Sequence, residues 1–428
     1  MIEIQDLKQI RIHLDRFLEE FDDCIKTAPS RCHLRTYIGG QISDLPRKSV
    51  EPIALEAGIA PRSLQEFLGI HRWDEEAVRY RVQKLVNRDH ADENAIAVVD
   101  ETGFAKKGDK TPGVQRQYCG ATSKIDNCVV TVHLGYIAGE FHALIDSDLF
   151  LPEESWYKDP ERCQEAGIPE DVVYRPKWRI ALDQLEAAIR RGVHFSYLTA
   201  DETYGKSSDF RKGVAQSGLV YVVEVPCSLC GWTKRPEVIE PEHASSGRGR
   251  PLKRARLSKT APKCRRVDQL WSRGGPSWQA FHIKNTHKGP VVWEVRSTRF
   301  FPWDDHLPGD VCWLIIARNV LTDEVKYFLS NASPDTPLQE LLHIAFSRWH
   351  IERIFQDGKG QVGMGHFEMR RYRPLIRHLI LSMVSFLFLA RETETLRKKT
   401  VGGAHVRCIW WLRHSLILSY TIKNVSGV

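Results

Sequence analysis

Three carboxylates stand out by where they fall in the chain. Asp100 follows the apolar, β-branched run AIAVV (95–99), and Asp201 follows FSYLTA (195–200). Glu352 lies in FSRWHIERIFQDGKGQVG (346–363), which reads as a helix burying Ile344, Ile351, Ile354 and Phe355. A carboxylate just past the C-terminal end of a buried strand can project into the crevice where open α/β sheets place ligands. Three carboxylates converging at one point repel one another unless something neutralises them. Two Mg²⁺ ions would do so, because hard cations take oxygen ligands. Such a pair, about 4 Å apart, can activate a water or hydroxyl and stabilise the leaving 3′ oxygen of an in-line phosphodiester displacement. Arg348, Glu352 and Lys359 fall at i, i+4 and i+11, near one helix face. Arg348 and Lys359 could then reach backbone phosphates of DNA. Each residue also has a plainer reading. An Asp at a strand end is commonly a turn or cap residue, and a Glu flanked by Arg on a helix is commonly an exposed ion pair.

The elements that must hold these side chains are legible in outline. Residues 1 to about 92 read as helical, with Ile10, His13, Leu14, Phe17, Leu18 and Phe21 at three- and four-residue steps. VEPIALEAGIAPRSLQEFLG (50–69) predicts two short helices around Gly58, with Pro61 in a first turn and Leu64, Phe67 and Leu68 as an apolar stripe. A helix-turn-helix DNA reader has this form, and so does a helical hairpin in a bundle; Arg47, Lys48 and Arg62 add little charge. From Ala95 the texture changes to strands at 95–99, 115–122 and 128–137. A helix (178–191), a strand (195–200), a helix (207–216) and a strand (219–225) follow. This order predicts a mixed α/β sheet. Strand-like runs between 226 and 335 read as a β-rich insertion, and helical periodicity returns from Leu338 and continues, with a glycine-containing break, to about Arg397. A last apolar-basic stretch (406–420) reads as a helix. The expected divisions are 1–92, 93–225, 226–335 and 336–428.

Composition narrows the class. The chain has 428 residues, 42% hydrophobic and 27% charged, which suits a folded protein of two to three domains and excludes a wholly disordered one. Ten scattered cysteines do not form a secreted disulfide framework. The apolar run at 379–390 is shorter than the roughly 20 residues of a membrane span, so a cytoplasmic protein with no membrane partner is expected. Lys and Arg number 61 against 54 Asp and Glu. The excess of seven is concentrated: GRGRPLKRARLSKTAPKCRRV (247–267) carries nine basic residues and no acidic one. Composition predicts a solvated loop there, with Arg248, Arg250, Lys253 and Arg254 available to DNA. Arg248-Gly249-Arg250-Pro251 also has the form of a minor-groove arginine hook. Cys227 and Cys230 form a single C-x-x-C pair that His243 and Cys264 could complete, although a structural zinc needs four ligands. Six insertion tryptophans, at 232, 271, 278, 293, 303 and 313, are mostly core by expectation; one could stack on an unpaired base.

Three stretches together resemble a known family. VVDETGFAKKGDKTPGVQRQYCGATSKIDNCVVTVHLGYIAG (98–139), YLTADETYG (197–205) and RWHIERIFQDGKGQVGMGHFEMR (348–370) are similar to bacterial insertion-sequence transposases of the DDE superfamily, over about residues 47–370. The resemblance implies a ribonuclease H-like core, split by a β-rich insertion and flanked by a helical DNA-binding region and a helical C-terminus. It assigns the catalytic, metal-holding triad to Asp100, Asp201 and Glu352, with two Mg²⁺ ions or Mn²⁺ in their place. Arg348, Glu352 and Lys359 match the family's Arg-x3-Glu-x6-Lys spacing, while Ala345 stands where the family has tyrosine. It further implies cutting of transposon ends and joining of the 3′ ends to target DNA. The partners would be double-stranded terminal repeats, target DNA and a second copy of the chain on the nucleoid. Lys106 and Lys107, within the first stretch, are candidate DNA contacts. Glu101 and Glu202 directly follow the two aspartates, so a shift by one residue stays open here. A catalytically inactive DNA-binding repressor and a nuclease without strand transfer are the rival readings.

Overall fold

The computed structural model describes residues 4–241, 253–271, 274–286 and 289–399. Arg248, Arg250, His243 and the segment 406–420 lie outside the described residues. The chain folds as two compact units, one made of 1–195 with 350–428 and the other of 196–349.

The first unit begins with helices whose apolar stripes face inward. α1 (Ile4–Glu19) buries Ile10, Leu14, Phe17 and Leu18. α2 (Ala28–Ile42) is capped by Thr27, whose hydroxyl accepts from Ser30 N, as N-cap residues do for otherwise orphaned amides. α3 (Val50–Glu56) and α4 (Pro61–Gly69) form the expected pair. The turn between them puts Gly58 at φ 67°, a left-handed conformation that glycine adopts without strain. α5 (Glu75–His90) starts at Asp74, which accepts from Glu76 N and Ala77 N.

A sheet follows, of β1 (Ile96–Ala105), β2 (Gln115–Cys119), β3 (Lys124–Ala138) and β4 (Phe141–Leu149). The 15-residue β3 pairs antiparallel with the other three. β1 corrects the expectation that Asp100 ends a strand. Pairing runs on through Ala105, with Asp100 opposite His133, because backbone pairing continues wherever β3 offers a partner, whatever the polarity of the side chains. β4 was not foreseen. Its apolar pattern is broken by Asp146 and Asp148, and the structure resolves the break: Asp146 is buried against the Arg79 guanidinium and accepts from Ser147 N. A π-helical turn (Glu153–Tyr157) and α6 (Pro160–Ala166) lead to α7 (Lys177–Arg190), which lies on β1, β3 and β4. Its buried Gln184 donates to Val132 O at 3.0 Å.

The second unit opens with β5 (Tyr197–Ala200), α8 (Glu202–Gly205), α9 (Ser208–Gln216) and β6 (Val220–Val225), with β5 and β6 parallel. The β-rich stretch contributes β7 (Cys230–Trp232), β8 (Val238–Ile239), β9 (Arg256–Leu257), β10 (Arg265–Arg266) and β11 (Gln279–Thr286). It continues with β12 (Gly289–Asp304), β13 (Leu307–Pro308), β14 (Cys312–Asn319) and β15 (Val325–Ser330). Within this unit the order is β10-β7-β12-β14-β15-β6-β5, with β11 and β13 also on β12, and β8 with β9 apart. The expected mixed α/β architecture is therefore present, with antiparallel and parallel pairing. The described part of the basic segment departs from a solvated loop. β9 and β10 pair with β8 and β7, and Trp232 Nε1 donates to Pro262 O at 2.8 Å. Its backbone is thus tied down while its charged side chains stay at the surface. α10 (Leu338–Ser347) closes the unit.

The chain returns to the first unit through α11 (Trp349–Asp357), a π-helical turn (Gly358–Val362) and α12 (Tyr372–Lys399). The helix read as continuous from 346 to 363 is broken at both ends of α11. The break falls at Arg348, and beyond Asp357 the wider π turn displaces Lys359 from an α-helical i+7 position. α12 packs on α2, α4, α5 and β4. It is long and apolar enough to cross a membrane, but 83% of its apolar window is buried inside the protein, as in a core helix. Arg377 within it is fully buried. Its guanidinium donates to the carbonyls of Phe67, Leu68, His71 and Trp73 and pairs with Glu75. Phe67 and Leu68 accept from the last turn of α4, where carbonyls lack intrahelical partners, and His71 and Trp73 from the link to α5.

Candidate active site

In the first unit, α11 lies along β1 and β3. A Cβ at Gly135 would sit 2.7 Å from Val98 Cγ1 and 3.2 Å from Ile351 Cδ1, so the glycine permits the helix to approach the sheet closely. Four residues on, Phe355 meets His133 edge-on at 5.1 Å between ring centroids. Lys359 Nζ then donates to Gly103 O at 3.3 Å and stands over the Phe104 ring. Positions 351, 355 and 359 thus track 98, 100 and 104 in order, since His133 is the register partner of Asp100 and Gly135 that of Val98. Glu352 is exposed, one residue beyond the buried Ile351. Asp100 and Glu352 therefore belong to one neighbourhood of this unit.

Alternation along β1 separates Asp100 from Glu101. Glu101 points to the α7 side, where Lys177 Nζ donates to it at 2.7 Å. Asp100 shares the α11 side, half-buried, and accepts from Glu101 N at 2.8 Å. Of the two adjacent acids, Asp100 is therefore the one on the α11 side of β1 and Glu101 the one on the α7 side. Beneath it, His133 is fully buried and bonded to Thr131 Oγ1 at 2.6 Å. Burial, with a smaller contribution from the Lys359 charge, pushes its pKa down to about 3, so the ring is neutral. Burial likewise lowers the Lys359 pKa, against the attraction of Cys119 and Asp100.

The second unit places Asp201 immediately after β5, as expected. Its carboxylate caps the one-turn α8, accepting from Thr203 N at 2.9 Å and Thr203 Oγ1 at 3.2 Å. The plainer reading of a strand-end aspartate is therefore realised here. A capping carboxylate keeps further lone pairs for another ligand. Glu202 stands on the first turn of α8.

The basic residues separate into two groups. Lys107, Lys253 and Arg254 are exposed. Lys106 is turned inward: its Nζ lies 3.4 Å from the Phe367 ring centroid, donates to Phe367 O at 2.6 Å, and burial lowers its pKa to about 8. Lys48 is also buried, giving its ammonium to Gln41 O and Ser43 O at the end of α2. Lys48 is thus withdrawn from the surface, and Lys106 is only partly exposed. Arg348 is half-buried, and Ala345, where the family has tyrosine, is in the core. Cys264 approaches Cys230, and burial raises its pKa to about 12. Among the described residues, no three His, Cys, Asp or Glu side chains stand together as a metal-ligating cluster. Trp232 and Trp293 are core, whereas Trp303 is 46% exposed beside a two-residue hairpin turn.

His133 was missed by sequence reasoning. It is the one imidazole in CVVTVHLGYI, set between Val132 and Leu134, and an interruption of that kind in an apolar strand is the signal that could have found it.

Residues 20–290 match a family described as DDE superfamily endonuclease. The chain belongs to this family. A relative, the probable transposase for insertion sequence element IS701 of Microchaete diplosiphon, is 35% identical over 188 residues, 44% of this chain and 46% of that one. The chain thus matches under half the length of that relative. A solved structure that aligns with it, the piggyBac transposase synaptic complex with hairpin DNA, is 12% identical with a TM-score of 0.45, over 94% of this chain and 73% of that one.

Proposed function

We propose that this DDE-superfamily chain is an insertion-sequence transposase that binds double-stranded transposon ends, hydrolyses a phosphodiester there and joins the freed 3′ ends to target DNA. In this reading Asp100, Asp201 and Glu352 are the catalytic carboxylates. The observation that carries it is the placement of Glu352's helix along the strand of Asp100, with Glu101 diverted to Lys177 on the other side. An all-carboxylate donor set fits Mg²⁺ or Mn²⁺. When bound, a pair of such ions supplies an activated water or hydroxyl and charge neutralisation at the leaving oxygen. The chain's own groups do the rest. Asp100 stands on the strand directly opposite the neutral His133 and attracts the Lys359 charge, while Glu352 would present its carboxylate from the exposed side of α11.

Exposed Lys107, Lys253 and Arg254 are proposed DNA contacts, together with Arg248, Arg250 and Arg348, while Lys106 would have to leave its carbonyls first. Cutting and joining are the same displacement with different nucleophiles, so one site serves both, and two ends held together call for a homodimer. The chain would act in the bacterial cytoplasm, on the nucleoid. The test is Glu352→Ala: the variant should bind end DNA as the natural protein does and cleave at a rate lower by at least about a thousandfold. Cleavage at the unmodified rate would remove Glu352 from the chemistry.

A further inference from the structure

His133 is an odd residue to find where it stands. It is fully buried on β3, directly opposite Asp100, with one ring nitrogen bonded to Thr131 Oγ1 and the edge of its ring against Phe355. Its Nδ1 is buried with no hydrogen-bond partner among the described residues. An orphaned polar atom in a core costs stability. Leucine or phenylalanine would fill the space without that cost. Thr131, His133 and Gly135 alternate along the face of β3 that α11 covers, and Phe355 lies three residues beyond Glu352 on that helix. The Thr131 hydroxyl fixes the rotation of the imidazole. The imidazole in turn sets how far Phe355, and hence α11, stands above the strand of Asp100.

We infer that His133, locked by Thr131, is a positioning residue that sets the spacing between the Asp100 and Glu352 carboxylates by propping α11 through Phe355. This deepens the proposed function and rests on its assignment of Asp100 and Glu352 to one cation site. Groups that orient ligands through a second contact commonly change metal affinity when removed.

The test titrates Mn²⁺ against the full chain without DNA, following free Mn²⁺ by electron paramagnetic resonance, and then measures cleavage of end DNA. His133→Ala should weaken Mn²⁺ binding about tenfold and lower kcat with KM for DNA unchanged. His133→Gln, whose amide can still bond Thr131, should restore most of both. Wild-type Mn²⁺ affinity in a folded His133→Ala protein would overturn the inference, and so would a lower Tm with no change in Mn²⁺ binding. If His133→Ala does not fold, Thr131→Val keeps the ring's packing and frees its rotation; it should weaken Mn²⁺ binding, and an unchanged affinity overturns the inference equally. Asp100→Ala separates the two ideas. If it binds Mn²⁺ as the wild type does, the carboxylate site itself fails; if it loses Mn²⁺ while His133→Ala does not, only the positioning role fails.

Discussion

Asp100 and Glu101 are adjacent acids with opposite surroundings, and strand alternation is the reason. Glu101→Gln should therefore retain cleavage and weaken only the interaction with Lys177, whereas Asp100→Ala should lose cleavage. Rates measured on the same end DNA check the contrast. A second residue-scale consequence concerns pH. His378 is fully buried between Tyr37 Oη and Met364 O, beside the Phe367 ring and near Lys106 and His366. Burial holds its pKa at about 4 against 6.5 when free. The unfolded chain thus binds a proton that the folded one refuses. This contribution to stability is complete above about pH 6.5 and falls away toward pH 4, by up to roughly 3 kcal/mol. In urea unfolding over that interval, His378→Asn should flatten the pH dependence. An unchanged slope would show that other groups govern it. At this scale the sequence was informative about Asp100, Asp201 and Glu352 because acids at the edges of apolar runs are visible in one dimension. His133 went unread and the contacts of Lys359 with Gly103 O and the Phe104 ring were not foreseen, because such contacts depend on which neighbour in space a side chain meets.

At the scale of elements, the close seat of α11 on the sheet depends on the missing side chain of Gly135. Gly135→Ala introduces a Cβ 2.7 Å from Val98, and the strand or helix must shift to take it. A destabilisation of about 1–3 kcal/mol by urea unfolding is expected, with a larger drop in cleavage than stability alone explains. Full cleavage by a folded Gly135→Ala protein would mean that the helix height is not critical. Most elements were legible from periodicity, including the α3–α4 pair, α7, α9, β5, β6 and the longer strands of the insertion, β11, β12, β14 and β15. β4 was not, because Asp146 breaks its pattern and its burial is made tolerable by partners that include Arg79 and Gln83, far away in sequence. The extension of β1 past Asp100 was hidden for a related reason: its polar residues are held in the strand by β3. Of the interruptions on either side of α11, the one beyond Asp357 falls in a glycine-containing stretch, where a break was expected, whereas the one at Arg348 leaves little trace in hydrophobic spacing.

For the whole molecule, the concentration of nine basic residues in 247–267 against a nearly balanced remainder locates much of the expected DNA attraction. Replacing Lys253, Arg254, Arg256 and Lys259 by Gln should weaken end-DNA binding. It should also reduce the slope of log affinity against log salt by about 0.9 for each DNA phosphate that is no longer neutralised. An unchanged slope would place the DNA-binding surface elsewhere. Membership of the DDE superfamily endonucleases rests on the match over 20–290; cutting and joining by one site are the proposal to be tested. The direct measurement is to incubate the full chain with Mg²⁺, DNA carrying the element's ends and a target plasmid. The natural chain should give end-to-target joined products. Asp100→Ala, Asp201→Ala and Glu352→Ala should each leave bound but uncut DNA. Robust cleavage by the Asp100→Ala protein in Mg²⁺ would contradict the assignment of these carboxylates to catalysis.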